Sequence, residues 1–335
     1  MKRKGIEPNE VRKYFLITGA FLIFMIGSLS FFLSWLQKDV EINSQKNVAI
    51  NVERQSYHLD SIIDIQFSYL FGIAAYMGER KEMFSRENKR LIQSIVKEQD
   101  LDLIALMDAD GNTFYSNGAR KSVKTRKYFK EAMEGKQVMS SPVENMVDGK
   151  TKVILAVPIY KDGGVMGVLG ASYNVGALNQ MLFDDIYDGV GFSMIIDSSG
   201  RIISCDSGKA YRNIGISDNV YEFYVKNGEV SEKDMAEAKS NIQNQKAGIL
   251  VLKDKNEVSY LAYDTLEMND WMLCYVVPQS KAQESYQFVQ DRQVMLVFVI
   301  GGGMIAFLLI ILYRESQKQK HMKELANIDG LTQLH

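Results

Sequence analysis

Arg126 stands in a basic run over 121–130 that also holds Lys121, Lys124, Lys127 and Lys130. A guanidinium presents a planar fork of N–H donors that grips a carboxylate through two parallel hydrogen bonds, so an arginine kept out of bulk water is an anion clamp. Basic runs are also the ordinary sequence of a solvated helix face, and the residues alone leave both uses open. Other groups able to do chemistry are sparse. Cys205 and Cys274 are the only cysteines, and His58, His321 and His335 lack the spacing of a metal site. Glu315, Glu324 and Asp329 supply carboxylates near the C-terminal end, but no glycine-rich loop accompanies them to hold a triphosphate. They read as a solvated helix face and a turn acid. The net charge of −2 carries no nucleic-acid footprint, so no nucleic-acid partner is expected.

Two apolar runs must position whatever these residues do. Segment 14–36 has 23 residues without a charge and segment 294–313 has 20, each enough for a helix across a hydrocarbon core of about 30 Å. The first is too long for the apolar core of a signal peptide and lacks a convincing cleavage site, so it reads as an uncleaved anchor. In the second, Gly301, Gly302 and Gly303 would weaken a soluble helix but suit close packing of membrane helices. Lys2, Arg3, Lys4, Arg12 and Lys13 precede the first run, and Arg314, Lys318, Lys320 and Lys323 follow the second. The positive-inside rule then places 1–13 and the residues from 314 onward in the cytoplasm, and 37–293 outside the cell membrane.

The external segment opens without Pro or Gly from 37 to 71, and Val48, Val52, Leu59, Ile62 and Leu70 recur at helical steps. At 1.5 Å per residue this predicts a rod on the order of 50 Å long. Gln55 and Gln66 interrupt the stripe, as a partly solvated face or as polar register positions in a helix dimer. Beyond Gly72 and Gly78 a second amphipathic stretch, 81–99, carries Leu91, Ile92, Ile95 and Val96. The period then switches to strands, twice. Segments 105–116 (ALMDADGNTFYS) and 194–205 (MIIDSSGRIISC) share a pattern at an offset of 89 residues, pairing Asp108 with Asp197 and Gly111 with Gly200. That is a duplicated hairpin. Closing strands are expected at 151–160 and 165–173 in the first copy, and at 248–252, 257–263 and 271–277 in the second. The fold class is α+β, with two antiparallel modules at about 80–180 and 181–280.

A long first helix, two PAS-like modules and a return to an apolar run resemble the double Cache sensor domain over about 38–280. The local match runs through Arg126, Lys127, Tyr128 and Phe129, then Ala132, Gly135, Ser141-Pro142, Gly149, Ala156-Val157-Pro158-Ile159 and Gly167-Val168-Leu169-Gly170. The resemblance implies the PAS strand order 2-1-5-4-3, which separates Cys205 from Cys274 by one strand and disfavours a disulfide. It also implies a ligand site in the first module, where Arg126 would clamp a carboxylate, Tyr128 and Phe129 would shape the pocket, and Ser172 and Asn145 would complete it. Two positions depart from the amino-acid-binding pattern. Lys121 stands where a Tyr is expected and Ser172 where an Asp would take the ligand's ammonium, so an α-amino acid would lack its ammonium partner and the implied partner is a small extracellular ligand, a carboxylate or another polar metabolite. In the second module Tyr211, Tyr260 and Trp271 read as core.

The C-terminal residues carry a second resemblance. Asp329, Leu331, Thr332 and Leu334 match the opening of a GGDEF domain, the diguanylate cyclase family, with Asp329-Gly330 as a turn after the linker helix 314–328 and Thr332 as the cap of a new one. This resemblance implies a homodimeric membrane receptor with a cyclic di-GMP output, whose GTP and Mg²⁺ would be held by a catalytic domain that 329–335 only begins; no cofactor is expected in the chain itself. The fifteen residues between Tyr313 and Asp329 leave no room for the relay domain common in chemoreceptors and histidine kinases. A non-catalytic receptor of one of those types is the alternative.

Overall fold

The computed structural model describes residues 8–80, 82–98, 102–144, 151–174, 186–205, 214, 218–255 and 257–331. The chain divides into one unit made of Met1–Asn43 and Gln283–His335 and a second made of Ser44–Ala282.

In the second unit, helix α1 (Pro8–Gly78) presents a stripe of Val48, Val52, Ser56, Leu59, Ile63, Phe67, Leu70, Ala74 and Met77, all buried, at steps of three and four. Ile63 takes the core position and Ile62 is only half-buried. The helix passes Gly72, where an end was expected, because one glycine costs about 1 kcal/mol while the turns on either side bury Leu70, Ala74 and Met77. It stops at Gly78, where an added Cβ would lie 2.1 Å from the Tyr160 carbonyl oxygen. Gln66 is not a bare solvated residue. Its Oε1 accepts a 2.8 Å hydrogen bond from the Tyr173 hydroxyl.

Two antiparallel sheets pack on this stripe. After α2 (Arg86–Glu98), the distal sheet is built from β1 (Leu103–Asp108), β2 (Asn112–Tyr115), β3 (Arg120–Ser122), β4 (Val138–Met139), β5 (Val143–Glu144), β6 (Thr151–Lys161) and β7 (Gly164–Asn174). Its order is β3-β2-β1-β7-β6-β4, with β5 also on β6. The proximal sheet takes β8 (Phe192–Ile196), β9 (Ile202–Cys205), β10 (Gly248–Lys253), β11 (Val258–Thr265) and β12 (Met272–Pro278) in the order β10-β11-β12-β8-β9. Apart from the extra edge strand β3, both follow the expected 2-1-5-4-3 order. Each sheet gives one face to the α1 stripe and the other to helices inserted between its opening and closing strands: α3 (Lys127–Met133) in the distal module, α4 (Val220–Lys226) and α5 (Glu232–Gln243) in the proximal one.

The duplicated hairpin is visible bond for bond. Asp108 Oδ1 accepts the backbone N–H groups of Asp110 (3.0 Å) and Asn112 (2.8 Å), and Asp197 Oδ1 accepts those of Ser199 (3.0 Å) and Arg201 (3.1 Å). Gly111 and Gly200 supply the left-handed backbone at φ +82° and +85° that the turn requires. Cys274 and Cys205 flank Met194 on opposite sides, two strand spacings or about 10 Å apart, well beyond disulfide reach, and form no disulfide.

In the first unit, α1 and the C-terminal helix (Gln287–Leu331) display Phe24, Phe31, Phe298 and Leu309 at 61–75% exposure. Helices Thr18–Gly78 and Glu284–Lys318 are long and apolar enough, by length and composition, to cross a membrane. The C-terminal helix runs through Asp329 and Gly330 to Leu331, so the expected turn does not form. A glycine weakens a helix without ending it, since each further residue still adds a backbone hydrogen bond. Thr332 and Leu334 lie outside the described residues.

Candidate ligand-binding site

The basic run does not form one helix face. Lys121 lies on β3, exposed, and α3 begins only at Lys127, leaving Arg126 as its N-cap at φ −72°, ψ 134°. Its backbone N–H bonds to the Val123 carbonyl at 2.8 Å, which fixes the turn, and its side chain makes no cap hydrogen bond. A cap position normally goes to Ser, Thr, Asn or Asp, whose oxygen takes a helix N–H. An arginine here breaks that local rule, and such breaks concentrate at functional sites.

Arg126 lines a cavity of about 20 Å³ together with Leu103, Ala105, Met107, Tyr115, Tyr128, Val143, Ile154, Gly170 and Ser172. The floor follows from strand register. Leu103, Ser172 and Ile154 stand directly opposite one another across β1, β7 and β6, and the next row is Ala105, Gly170 and Ala156. Small side chains in that second row leave the space. A Cβ at Gly170 would come within 2.6 Å of Met107 Cε and 3.4 Å of Ile154 Cγ2.

Of the residues expected at a site, the structure brings Arg126, Tyr128 and Ser172 together. Phe129 is 4% exposed and packs in the distal core with Ala132 and Val138, because neighbouring helix residues point about 100° apart and cannot both face one cavity. Asn145 lies outside the described residues, as does Tyr211, while Tyr260 and Trp271 are core. Sequence reasoning missed Tyr115 and the apolar floor. The available signal was the alternation of Gly170 and Ser172 on a strand whose other face is Leu169 and Ala171.

Burial pushes the Tyr115 and Tyr128 hydroxyls above their ordinary pKa of 10, and the Arg126 guanidinium pulls each partly back. Both phenols therefore stay neutral and can donate hydrogen bonds. Ser172 Oγ already donates to the Leu103 carbonyl at 3.2 Å. No carboxylate, thiol or imidazole is among the described lining residues. A cation and two neutral donors over an apolar floor are groups with which a carboxylate could pair.

The proximal module is built otherwise at the same positions. Its corresponding rows are Phe192, Val276 and Leu261, then Met194, Cys274 and Tyr263, all buried. Bulk replaces the space. An open groove of about 670 Å³ lies between α5 and β10, lined in part by Glu229, Asp234 and Glu237.

Comparison with known proteins agrees with this architecture. Among curated proteins none matches the chain. The sensory domain of the Campylobacter jejuni chemoreceptor Tlp3 with isoleucine bound is 14% identical, with a TM-score of 0.53 over 74% of this chain and 97% of that one. The ligand-binding domain of the Pseudomonas fluorescens chemoreceptor CtaA in complex with L-isoleucine is 13% identical, with a TM-score of 0.58 over 74% and 97%. The extracellular domain described as that of the histidine kinase mmHK1S-Z2 is 16% identical, with a TM-score of 0.53 over 71% and 98%. At these identities the likeness is one of fold. The profile described as Cache domain, of the double-Cache type, matches residues 33–286, about three quarters of the 335 residues, and the chain therefore belongs to the Cache-domain family.

Proposed function

We propose that this protein is a membrane-anchored sensor whose distal module binds a small extracellular carboxylate, with Arg126 as the clamp, Tyr128 and Tyr115 as neutral donors and Ser172 on the floor. The observation that carries this reading is the convergence of Arg126, Tyr115, Tyr128 and Ser172 on one cavity over small floor residues. An occupant larger than a water must part the lining, which ties binding to movement of α3 against the sheet. The two chemoreceptor domains named above were solved with isoleucine bound; the serine at 172 and the absence of an acid among the described lining residues favour an acid without an ammonium group. Segments 14–36 and 294–313 serve as the spans, 37–293 faces outward, and the chain works as a parallel homodimer. Its output is a cyclic di-GMP synthase of the GGDEF family that begins at 329–335 and uses GTP and Mg²⁺. The short stretch between Tyr313 and Asp329 favours this output over a chemoreceptor or histidine kinase, which the fold of the sensor alone fits equally well.

Thermal-shift screening of the full chain in detergent against small carboxylates tests the binding site. One or more should raise Tm in proportion to mass action, and the rise should vanish in Arg126→Ala. An equal response from the mutant would place the site elsewhere. Reporter fusions at Asn244 and after Lys320 should report opposite sides of the membrane, the first external; same-side results would reject the topology. Natural reading frame beyond His335 should encode the remainder of a cyclase, and its absence would favour a non-catalytic receptor.

A further inference from the structure

We propose that Lys152, with Asp102 as its displaceable partner, is a second anion-binding group of the same cavity, so that the ligand carries two acids joined by a short aliphatic chain. The inference rests on the carboxylate-sensor reading above and names the ligand class.

Strand register puts Lys152 there. It is two residues before Ile154 on β6 and directly opposite Val143 on β5, and both of those residues line the cavity. Strand side chains alternate faces, so Lys152 shares their face. Its side chain is only 3% exposed, and its Nζ lies 3.1 Å from Asp102 Oδ2, on the residue just before the cavity-lining Leu103. The ion pair thus closes the end of the row formed by Leu103, Ser172 and Ile154.

The pair is asymmetric. Lys152 is buried, and a buried ammonium needs an anion beside it at all times. Asp102 is 42% exposed, so it can turn into water at little cost. A ligand carboxylate can take its place on Lys152 while the other end of the ligand sits on Arg126. Successive rows on a strand are about 7 Å apart, the reach of a short diacid, and the floor between offers Ala105 and Gly170 to methylenes.

Glutarate and butyrate are the probes, since they share a chain but differ in the second acid. Binding is measured on the full chain in detergent by calorimetry and thermal shift. Wild type should prefer glutarate by at least about 10-fold, the range of a charge-assisted contact. Lys152→Met, which replaces the ammonium by an apolar side chain of similar length, should erase that preference. Asp102→Asn should tighten glutarate, because it removes the competing anion; a merely structural ion pair would weaken binding in both variants through the fold. An unchanged glutarate-to-butyrate ratio in Lys152→Met, or no glutarate binding by wild type, overturns the proposal. Arg126→Ala separates it from the broader reading: loss of all acid binding there, with Lys152→Met neutral, rejects the second anion group alone, whereas persistent binding in Arg126→Ala rejects the site itself.

Discussion

The distal and proximal modules repeat one hairpin, one strand order and one packing mode on α1, yet the distal sheet has a small cavity at rows that bulky side chains fill in the proximal one. At equivalent places in the sheet, Ala105, Gly170 and Ala156 face Met194, Cys274 and Tyr263. The caps differ in the same sense. Asn219 begins α4 as a conventional cap, its Oδ1 accepting the N–H groups of Tyr221 (3.0 Å) and Glu222 (3.4 Å), whereas Arg126 begins α3 with no such bond. One copy caps its helix conventionally and fills its central row, and the other does neither, which is where the proposed ligand would sit.

The largest effect should come from the arginine. Arg126→Ala is expected to weaken the best-binding carboxylate by about 100-fold, the loss of a paired charge-assisted contact, with little change in Tm. Calorimetry checks this, and a loss under threefold would break the contrast between the modules. Next in size, Gly170→Cys copies the proximal row into the distal one. Its side chain meets Met107 Cε and Ile154 Cγ2, so binding should fall by at least about 10-fold while the fold, which tolerates overpacking at a cost of about 1–3 kcal/mol, persists. Unchanged affinity would mean that the floor is not where the ligand lies.

The modules also differ in how they hold α1. The distal sheet uses the neutral Gln66–Tyr173 bond, and the proximal one uses Asp60, which accepts the Glu267 backbone N–H at 3.2 Å. Burial, with help from the charges of Glu267, Asp64 and Asp264 and against the Glu267 N–H, pushes Asp60 from 3.8 up to about 6. The folded state therefore keeps a proton that the unfolded chain releases between those values. The associated stability is present below the lower value and is lost as pH rises through the upper one. Asp60→Asn should have a higher Tm than wild type at pH 7.5 and a similar one at pH 4.5; parallel pH curves would contradict the assignment. The smallest effect belongs to the conventional cap. Asn219→Ala should cost about 1 kcal/mol in chemical denaturation and leave carboxylate affinity unchanged.

Periodicity made the scaffold legible. The hairpin signatures, the closing strands and the two apolar runs all follow from alternation or length, so their positions could be read with shifts of only a few residues. Short elements could not. β3, β4 and β5 hold two or three residues each, too few for a period to emerge, and they form because longer neighbours present open edges. The end of α1 was misplaced at Phe71 because Gly72 looks like a stop locally, while tertiary burial of Ala74 and Met77 carries the helix onward. Within the site, Arg126, Tyr128 and Ser172 were reached through family resemblance. Phe129 came with them but faces the core. Lys152 stands near the start of the strand expected at 151–160, and only its phase with Ile154 and Ala156 marks it as inward-facing.

Hydrogen exchange on the full chain, with and without the best-stabilising carboxylate at saturation, tests most directly whether the distal module is the sensor and the proximal one its support. The expected result is protection confined to peptides covering Leu103–Asp108, Tyr115 to Tyr128 and Gly164–Asn174, absent in Arg126→Ala. Protection concentrated instead around Glu229, Asp234 and Glu237 in the proximal groove, and kept in Arg126→Ala, would contradict it.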